Sequence, residues 1–559
     1  MEARECVIST RLMLAVVKFG SNRHDSYRLL SSLAKINALS VVQRPRHDPE
    51  MQEIIKRGIA REQAASAGSS RIRIRDLVFT RQFTTFDRQN PLSSESPFHG
   101  FFTLFWLAMV LMFLKVSAAN WRQYGSILGK NEIMMMMFRR DVVVLGLTDV
   151  VMLLSTATGF LLQKAVLQGY IKWSTQGWII QNIWQTFFLT SIIGWTYYRD
   201  WPWTHTIFMV LHTIVYLMKQ HSYAFYNGHL SGIYNRREVL RRKLRQLEEK
   251  GVFTNGSGPK TGKVNNETSD VAKVSKALES GKALDAGQIE AFERIIRGEI
   301  EEMDVQLRGK SSSEDNAYPK NLTWRNFADW TCLPTLVYEL EYPRLERINW
   351  WYVAEKTAAT FGVIGVMMVI SQAYIYPPVA EAVRAKEAGM TLQQRWEELP
   401  WLISDMLFPL LLEQLLSWYV IWECVLNVLA EVTRFADRGF YGSWWNSSTW
   451  DMYARDWNRP VHNFLLKHVY NSSISTFHLS KTSATFITFV LSALVHELVM
   501  ACLFKTIRGY LFTMQLMQLP LVSFSRSRLM KGRDLLGNVI FWTGLFIGPS
   551  VLTALYLLI

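Results

Sequence analysis

Long apolar runs alternate with basic, hydrophilic stretches along this 559-residue chain. A run of about twenty apolar residues matches the length of helix that crosses the hydrocarbon core of a bilayer. The chain is 49% hydrophobic and still 19% charged, so the two classes of residue have to be segregated. This segregation predicts an all-α, polytopic membrane protein.

We predict about nine transmembrane helices. They cover residues 98–119, 142–162, 178–198, 203–218, 357–374, 402–430, 483–504, 510–524 and 535–558. With a cytoplasmic amino terminus, the basic connections at 219–350, 431–482 and 526–533 all fall on the cytoplasmic side, which agrees with the positive-inside tendency. The odd number of spans then places the carboxyl terminus in the lumen.

Hydrophilic segments divide the rest of the chain. Residues 1–96 form a basic, polar extension, which we expect to be cytoplasmic and largely disordered. Residues 97–559 form the membrane domain. It is interrupted at about 236–320 by a charged insertion with a Gly/Ser/Asn-rich centre, which we predict to be cytoplasmic and partly helical.

Charge and cysteine content argue against two classes of partner. The net charge of +14 is compatible with nucleic-acid binding, but membrane orientation and anionic headgroups explain basic loops better, so we predict no nucleic acid. The four cysteines, Cys6, Cys332, Cys424 and Cys502, are far apart and show neither metal-ligand spacing nor a disulfide framework. We therefore predict no metal and no cofactor.

One histidine, His496, lies inside the apolar run 483–504. An ionisable residue in such a run is costly to insert and is a functional-site hypothesis. Apolar surroundings favour the neutral imidazole that a general base requires. On a helix Ser492 shares a face with His496, whereas Glu497 points about 100° away. A histidine bonded to a carbonyl of a neighbouring helix explains this feature equally well.

The polar, aromatic segment 440–470 precedes this run and favours a catalytic site. Its interfacial aromatics are Tyr441, Trp444, Trp445, Trp450 and Tyr453. Its donors, which suit a phosphorylated, carbonyl-bearing substrate, are Asn446, Arg455, Asn458, His462, Asn463, Lys467 and His468. Lys481 lies fifteen residues before His496, about 22 Å along a helix. This separation matches a long ligand with phosphates at the membrane surface and its reacting carbonyl inside.

The motif FYGSWWN at 440–446 resembles the FYxDWWN signature of the sterol and diacylglycerol branch of the membrane-bound O-acyltransferases. The flanking pieces LNVLAEVTRFADRGFY, DWNRPVHNFLLKHVY and SALVHELVM agree with it. HSYAFYNGHLSG at 221–232, TLVYELEYPR at 335–344 and the terminal GNVIFWTGLFIGPSVLTALYL resemble fungal sterol O-acyltransferases specifically. The resemblance runs from the first span to the carboxyl terminus and leaves out the first ninety or so residues.

This resemblance implies a reaction and a set of site residues. His496 would remove the proton of a sterol 3-hydroxyl, which attacks the thioester directly, and Asn458 would assist at the acyl carbonyl. The positions implied for the acyl-CoA path are Arg455, His462, Tyr470, Lys481 and Ser492. The signature positions are Phe440, Tyr441, Ser443, Trp444, Trp445 and Asn446.

The resemblance also implies the setting of the reaction. It implies a buried reaction chamber, long-chain acyl-CoA arriving from the cytosol as co-substrate, and a sterol, ergosterol foremost, arriving from the bilayer. It further implies the endoplasmic reticulum membrane, a homodimer or homotetramer, and steryl esters made for storage.

One departure and three alternatives accompany this interpretation. Ser443 stands where the signature has an aspartate, and Asp451 or Asp456 could compensate for it. A diacylglycerol acyltransferase would share the signature. A transporter would explain the polar groups in or near the sixth span, whose other role is hydrogen bonding between helices; they are Glu413, Glu423, Asn427 and Glu431. A nucleophilic Ser492 lacks an oxyanion nest beside it.

Overall fold

All regular secondary structure in the described residues is helical. The computed structural model describes residues 79–96, 99–130, 132–138, 141–249, 286–311 and 314–559. Within these ranges the only β-type pairing is two isolated bridges, Gln82 with Asp437 and Arg344 with Phe435. The all-α prediction is therefore confirmed for this part of the chain. Most of the predicted extension and the centre of the predicted insertion lie outside the described residues.

The helices of the amino-terminal half precede the aromatic loop at 333–349. They are α1 (Pro91–Ser94), α2 (His99–Tyr124), α3 (Glu132–Met137), α4 (Asp141–Ser155), α5 (Ala157–Leu167), α6 (Trp178–Tyr198), α7 (Trp203–Glu249), α8 (Ala286–Arg308) and α9 (Trp324–Cys332). A π-helical turn, Trp173–Gly177, leads directly into α6, and a 3-10 turn, Glu314–Asn316, follows α8.

The carboxyl-terminal half carries the candidate site. Its helices are α10 (Trp350–Ile370), α11 (Tyr376–Glu387), α12 (Leu392–Trp418), α13 (Leu426–Val432), α14 (Trp450–Asp456), α15 (Arg459–Phe464), α16 (Ser472–Phe477), α17 (Lys481–Phe504), α18 (Tyr510–Leu516), α19 (Gln518–Ser525) and α20 (Asp534–Leu558). Its π-helical turns are Ser371–Ile375, Tyr419–Val425 and Leu465–Asn471, and its 3-10 turn is Trp444–Asn446.

Six helical stretches of the described chain are long and apolar enough to cross a membrane. They are His99–Tyr124, Asp141–Leu167, Trp350–Glu387, Leu392–Val432, Lys481–Phe504 and Asp534–Leu558. Five of them contain a predicted span completely, and His99–Tyr124 covers all of the span 98–119 except its first residue, so the prediction of a polytopic helical membrane protein is confirmed.

The other three of the nine predicted spans differ from this set. The predicted span 178–198 coincides with α6, which is not among the six. The span at 203–218 is only the first part of α7, a helix of 47 residues whose later turns are polar. The span at 510–524 is divided between α18 and α19 at Met517, and each piece is too short to cross the hydrocarbon core.

The helices that flank the undescribed part of the insertion pack against each other. Arg237 and Arg241 on α7 each donate to the Asp304 carboxylate on α8 over 2.7 Å. The buried apolar residues of the two helices join the main core; they are Leu240, Leu244, Ile296, Ile300, Met303 and Leu307. The polar part of α7 therefore continues as a helix past the membrane because α8 covers its apolar stripe.

Residues 79–90, on the extension side of the predicted boundary at 97, also pack into the helical domain. The Gln82 N–H donates to the Ala436 carbonyl over 3.0 Å, and the Arg438 N–H donates to the Gln82 carbonyl over 3.1 Å. The Asp87 carboxylate is fully buried and accepts from the Tyr352 hydroxyl over 2.7 Å. This segment thus reaches the core just before the signature motif.

The polar groups of the sixth predicted span make contacts between helices. The Glu423 carboxylate is buried, pairs with Lys356 of α10 over 2.6 Å and accepts from the Tyr441 hydroxyl over 2.7 Å. Glu431 pairs with the buried Arg438 guanidinium. Removing one partner of such a buried pair typically costs about 3–5 kcal/mol, because the other charge is left unpaired. These contacts attach the signature motif to the helices. A structural role of this kind explains the polar groups without a transport path.

Candidate active site

The signature motif is largely a packing element. Phe440, Tyr441 and Trp444 are each at most 3% exposed. The Trp444 ring packs edge-on against Trp457, at 4.6 Å between ring centroids, and against Trp418 of α12, at 5.2 Å. Burial against α12 and against Trp457, which follows α14, therefore explains this run of large aromatics, and these three side chains are not available to a substrate.

The second tryptophan of the motif connects the loop to the last helix. The Trp445 carbonyl accepts from the Trp542 ring N–H over 3.1 Å and from the Asn538 amide over 3.0 Å, both on α20. Ser443 and Asn446 are exposed. The motif thus presents only these two polar side chains outward, while its backbone is held from several sides.

A close backbone approach joins the motif to the segment that contains Asn458. The Gly442 N–H donates to the Asp456 carbonyl over 2.8 Å, and the Arg459 N–H donates to the Phe440 carbonyl over 3.0 Å. A Cβ atom at Gly442 would lie 2.3 Å from Asp456 Oδ1, so only glycine fits there. The signature loop therefore determines where the DWN segment lies.

Asn458 is the N-cap of α15 and keeps one donor free. Its Oδ1 accepts from the Val461 N–H over 3.2 Å, as N-cap residues do. The side chain is half-buried, and its Nδ2 amide has no hydrogen-bond partner among the described residues. The cap fixes the orientation of the amide, so that its N–H groups are available to an acceptor such as an acyl carbonyl oxygen.

A cationic group surrounds His462 on α15. Burial lowers the pKa of His462, and the charges of Arg455 and Arg459 lower it further, against the opposite effect of Asp456. Arg459 pairs with Asp456 over 2.9 Å. His462 is therefore neutral at pH 7 and lies in a positive field, which suits a phosphate group.

The Asp451 carboxylate binds two guanidinium groups. Arg455 donates to its carboxylate over 2.8 Å, and Arg526, from the loop after α19, donates over 2.6 Å. Burial raises the pKa of Asp451, but the hydrogen bonds from Arg526 and Thr449 and the nearby positive charges outweigh burial, so the pKa is lowered. Two cations on one carboxylate leave a net positive charge. Sequence reasoning did not place Arg526 in this group.

His496 lies on α17 with its imidazole exposed in the isolated chain. Its Nδ1 is 2.7 Å from the Ser492 backbone carbonyl. A carbonyl can only accept, so Nδ1 carries the hydrogen and Nε2 carries the lone pair. The apolar run showed that this helix lies in hydrocarbon but not which face the histidine occupies. The reaction chamber implied by the resemblance therefore stays a prediction.

Glu497 has a separate role. Its buried carboxylate accepts from the backbone N–H groups of Gly509, over 2.6 Å, and Phe512, over 3.0 Å, and from the Tyr556 hydroxyl over 3.0 Å. It therefore caps the start of α18 and ties it to α20. This agrees with the expectation from helical geometry that Glu497 is no direct partner of His496.

Of the remaining predicted residues, Lys481 and Tyr470 make no hydrogen bond to His496 among the described residues. Lys481 is the first residue of α17 and is exposed, and Tyr470 is half-buried in the π-helical turn Leu465–Asn471. That turn packs against α17, which brings the Asn458 segment and the His496 helix into one unit. Among the described residues no hydrogen bond joins Asn458 to His496. Ser492 contacts the histidine through its carbonyl and not through its hydroxyl.

Three separate resemblance segments meet beside this unit. His468 Nε2 is 2.8 Å from the Ser222 hydroxyl of α7, and the same hydroxyl accepts from the Tyr338 N–H over 2.8 Å. Lys467 pairs with Glu339 over 2.5 Å. Sequence reasoning placed His468 and Lys467 among candidate ligand donors. The structure assigns them to contacts that hold α7 and the 335–344 loop against the site.

Comparisons with known proteins identify the family of the chain. The model of the membrane-bound O-acyltransferase family matches residues 98–558. Sterol O-acyltransferase 2 of Candida albicans is 36% identical over 509 residues, which cover 90% of this chain and 82% of the relative. Probable sterol O-acyltransferase 1 of Schizosaccharomyces pombe is 35% identical over 484 residues, 86% of each chain. Diacylglycerol O-acyltransferase 1 of Dictyostelium discoideum is 33% identical over 241 residues, 43% of this chain and 37% of the relative.

Proposed function

The chain belongs to the membrane-bound O-acyltransferase family, and we propose that it transfers a fatty acyl group from long-chain acyl-CoA to the 3-hydroxyl of a sterol. The observation that carries the sterol assignment is the extent of the similarity. Relatives named as sterol O-acyltransferases match 83% to 91% of the chain, whereas the diacylglycerol enzyme matches 43%. Ergosterol is the proposed acceptor, and steryl ester for storage is the product.

The free nitrogen of His496 supports its role as general base. In the proposed reaction Nε2 removes the proton of the sterol hydroxyl, and the oxygen attacks the thioester carbonyl. The Ser492 carbonyl, 2.7 Å from Nδ1, stabilises the imidazolium that forms. The imidazolium then returns the proton to the CoA thiolate as it leaves. No acyl-enzyme is required, so Ser492 needs no role as a nucleophile.

The free amide of Asn458 supports its role as oxyanion donor. Charge develops on the carbonyl oxygen when the hydroxyl attacks, and a donor held in place by the helix cap stabilises it without reorganisation.

The cationic group supports a CoA site at the membrane surface. We assign acyl-CoA contacts to Arg455, His462, Tyr470, Lys481 and Ser492. The positive field at His462 and the exposed Lys481 suit the phosphates. The distance of about 22 Å from Lys481 to His496 along α17 suits the length of the pantetheine arm and the thioester.

The setting proposed for the enzyme follows from the same resemblance. We place it in the endoplasmic reticulum membrane with a cytoplasmic amino terminus and a lumenal carboxyl terminus, and we expect a homodimer or homotetramer. CoA from the cytosol then meets the basic loops at 431–482 and 526–533.

The departure at Ser443 is expected to have a small effect. Its side chain is exposed and caps nothing, and the nearby Arg459 already pairs with Asp456. We therefore expect Ser443→Asp to leave kcat within about twofold of the wild type, as for most surface substitutions. Steady-state acyl transfer in microsomes is the measurement. A rise well beyond that range would instead show that the missing carboxylate limits turnover.

The proposed function is tested in microsomes that lack their own neutral-lipid acyltransferases. Labelled oleoyl-CoA is supplied with ergosterol or with diacylglycerol. Label in steryl ester is the expected result. Label in triacylglycerol would assign the chain to the diacylglycerol branch, and no product from a folded, inserted protein would contradict both assignments.

A further inference from the structure

A second histidine lies in the helical bundle and has no part in the proposed reaction. His212 on α7 meets Asp149 on α4, with 2.6 Å between Nδ1 and Oδ1. Neither of these two buried atoms makes a hydrogen bond of good geometry to a described residue. The side chains are nevertheless 31% and 25% exposed, so the pair opens to the outside of the bundle. Asp149 lies about one third of the way along the candidate span Asp141–Leu167.

Charged pairs mark one end of the helices that surround this pair. Arg199, just after α6, donates to Asp141 at the start of α4 over 2.5 Å. The next residue, Asp200, pairs with Lys505, just after α17. The starts of α4 and α7 and the ends of α6 and α17 are therefore at one level of the membrane.

The pair and the proposed general base are at the same depth from that level. At a rise of 1.5 Å per residue, Asp149 is about 12 Å from Asp141, and His496 is about 14 Å from Lys505. His212 is about 14 Å from the start of α7 at Trp203 by the same measure. These distances are close to half of the roughly 30 Å thickness of a hydrocarbon core, so a hydroxyl held at this pair would lie at the depth of His496. Since α7 packs against both α4 and α17, the two sites share one helix.

The surroundings of the pair are apolar and leave room beside it. Gly146 lies one turn before Asp149 on the same face, is exposed, and would place a Cβ atom in open space. The Tyr216 ring stacks on the imidazole at 4.5 Å between centroids, and the Phe208 ring lies at 5.3 Å on its other flank. A lipid with a single small polar group would suit this place, because its polar group could bond the pair while its apolar body lies against the flat, apolar surfaces.

We propose that Asp149 and His212 form a binding site for the hydroxyl group of the acceptor lipid, which it occupies on its way from the bilayer to His496. The carboxylate oxygen that does not face His212 accepts the O–H, and the imidazole holds the carboxylate in place. A phospholipid headgroup does not reach the middle of the bilayer, and a carboxylate repels its phosphate. From this site the hydroxyl reaches α17 at constant depth, over one or two interhelical distances of about 8–10 Å. The identity of the acceptor as a sterol rests on the proposed function.

The first test compares Asp149→Leu and His212→Phe with the matched control Thr148→Val. Thr148, beside Asp149, bonds only the Val144 carbonyl of its own helix and the Trp195 ring, so its replacement perturbs the same helix without touching the pair. We expect the KM for sterol to rise about tenfold in the first two variants, because a hydrogen bond to a charged group is lost. The KM for oleoyl-CoA should stay unchanged, and the control should match the wild type.

The second test measures binding without turnover, in the His496→Ala background. A sterol with a photoreactive diazirine on its side chain is crosslinked to purified protein, beside the same probe lacking the 3-hydroxyl. Asp149→Leu should reduce labelling by the hydroxylated probe and leave labelling by the deoxy probe unchanged. Asp149→Asn, which keeps the shape and one acceptor, is expected to show a smaller loss in the same direction.

The outcomes separate this site from the proposed function. An unchanged sterol KM and unchanged labelling in folded Asp149→Leu would overturn the site. Equal changes in Thr148→Val, or an equal rise in the KM for oleoyl-CoA, would assign the pair to helix packing. Hydroxyl-dependent labelling that is lost in Asp149→Leu, in a protein whose wild type makes no steryl ester, would support the site and contradict the proposed function alone.

Discussion

Replacing His496 with alanine is expected to lower kcat for acyl transfer by about 10²- to 10⁴-fold, the range that a positioned general base supplies. In the proposed reaction the imidazole takes the hydroxyl proton through Nε2, because Nδ1 is held by the Ser492 carbonyl. Transfer of labelled oleate to ergosterol, measured at saturating oleoyl-CoA, gives the result directly. The KM for oleoyl-CoA should change little, because the contacts to the CoA phosphates are assigned to the membrane surface.

A matched control on the same helix is Leu494→Ala. Leu494 is 52% exposed and lies two residues before the histidine, so its truncation tests insertion and folding of α17 without touching the reaction. Its activity should equal that of the wild type. Substantial turnover by a folded His496→Ala protein would show that the base is elsewhere.

Different substitutions of Asn458 distinguish the roles of its two polar side-chain atoms. The Oδ1 atom caps α15, and the Nδ2 amide is free to donate to the oxyanion. Asn458→Asp and Asn458→Ser keep an N-cap acceptor and remove the amide donor. We expect both to lose about 3 kcal/mol of transition-state stabilisation, a fall of about 10²- to 10³-fold in kcat. Asn458→Ala should lose the same activity and, in addition, about 1 kcal/mol of stability with the cap.

Activity assays and thermal unfolding of the purified protein are read together for these variants. Full activity in Asn458→Ser would show that no amide donor is needed at the carbonyl. Loss of activity in Asn458→Ala alone, in parallel with a lower Tm, would reduce Asn458 to a helix cap. The Asp and Ser variants differ in charge, so agreement between them excludes an effect of a new carboxylate beside the arginines.

Hydropathy alone is sufficient to predict the long apolar helices of this chain. The six long apolar stretches are found where the sequence predicts them, because insertion of a helix into lipid depends on its own composition. The polar continuation of α7 depends instead on Asp304, more than sixty positions away in the chain, and on the apolar stripe of α8. No local pattern contains that information.

The signature motif likewise combines features that the sequence predicted with features that only the fold shows. Its resemblance to the family predicted a set of site residues, but not that Trp444 packs in the core and that Tyr441 bonds a buried carboxylate. Gly442 is required because the DWN segment passes against it. The position of Asn458 thus follows from contacts between two pieces of the loop and two distant helices.

The sequence by itself determined the all-α membrane class, the place of His496 in a long apolar helix and the family, since composition, periodicity and a specific motif are local properties. Only the tertiary structure decided that Glu497 caps α18, that Arg526 joins Arg455 on Asp451, and that His212 meets Asp149 at the depth of His496. Each of these depends on partners that are far apart in the chain. Buried or crowded polar groups bond to the partners that the folded bundle brings near them, because lipid and apolar side chains offer no alternative hydrogen bonds.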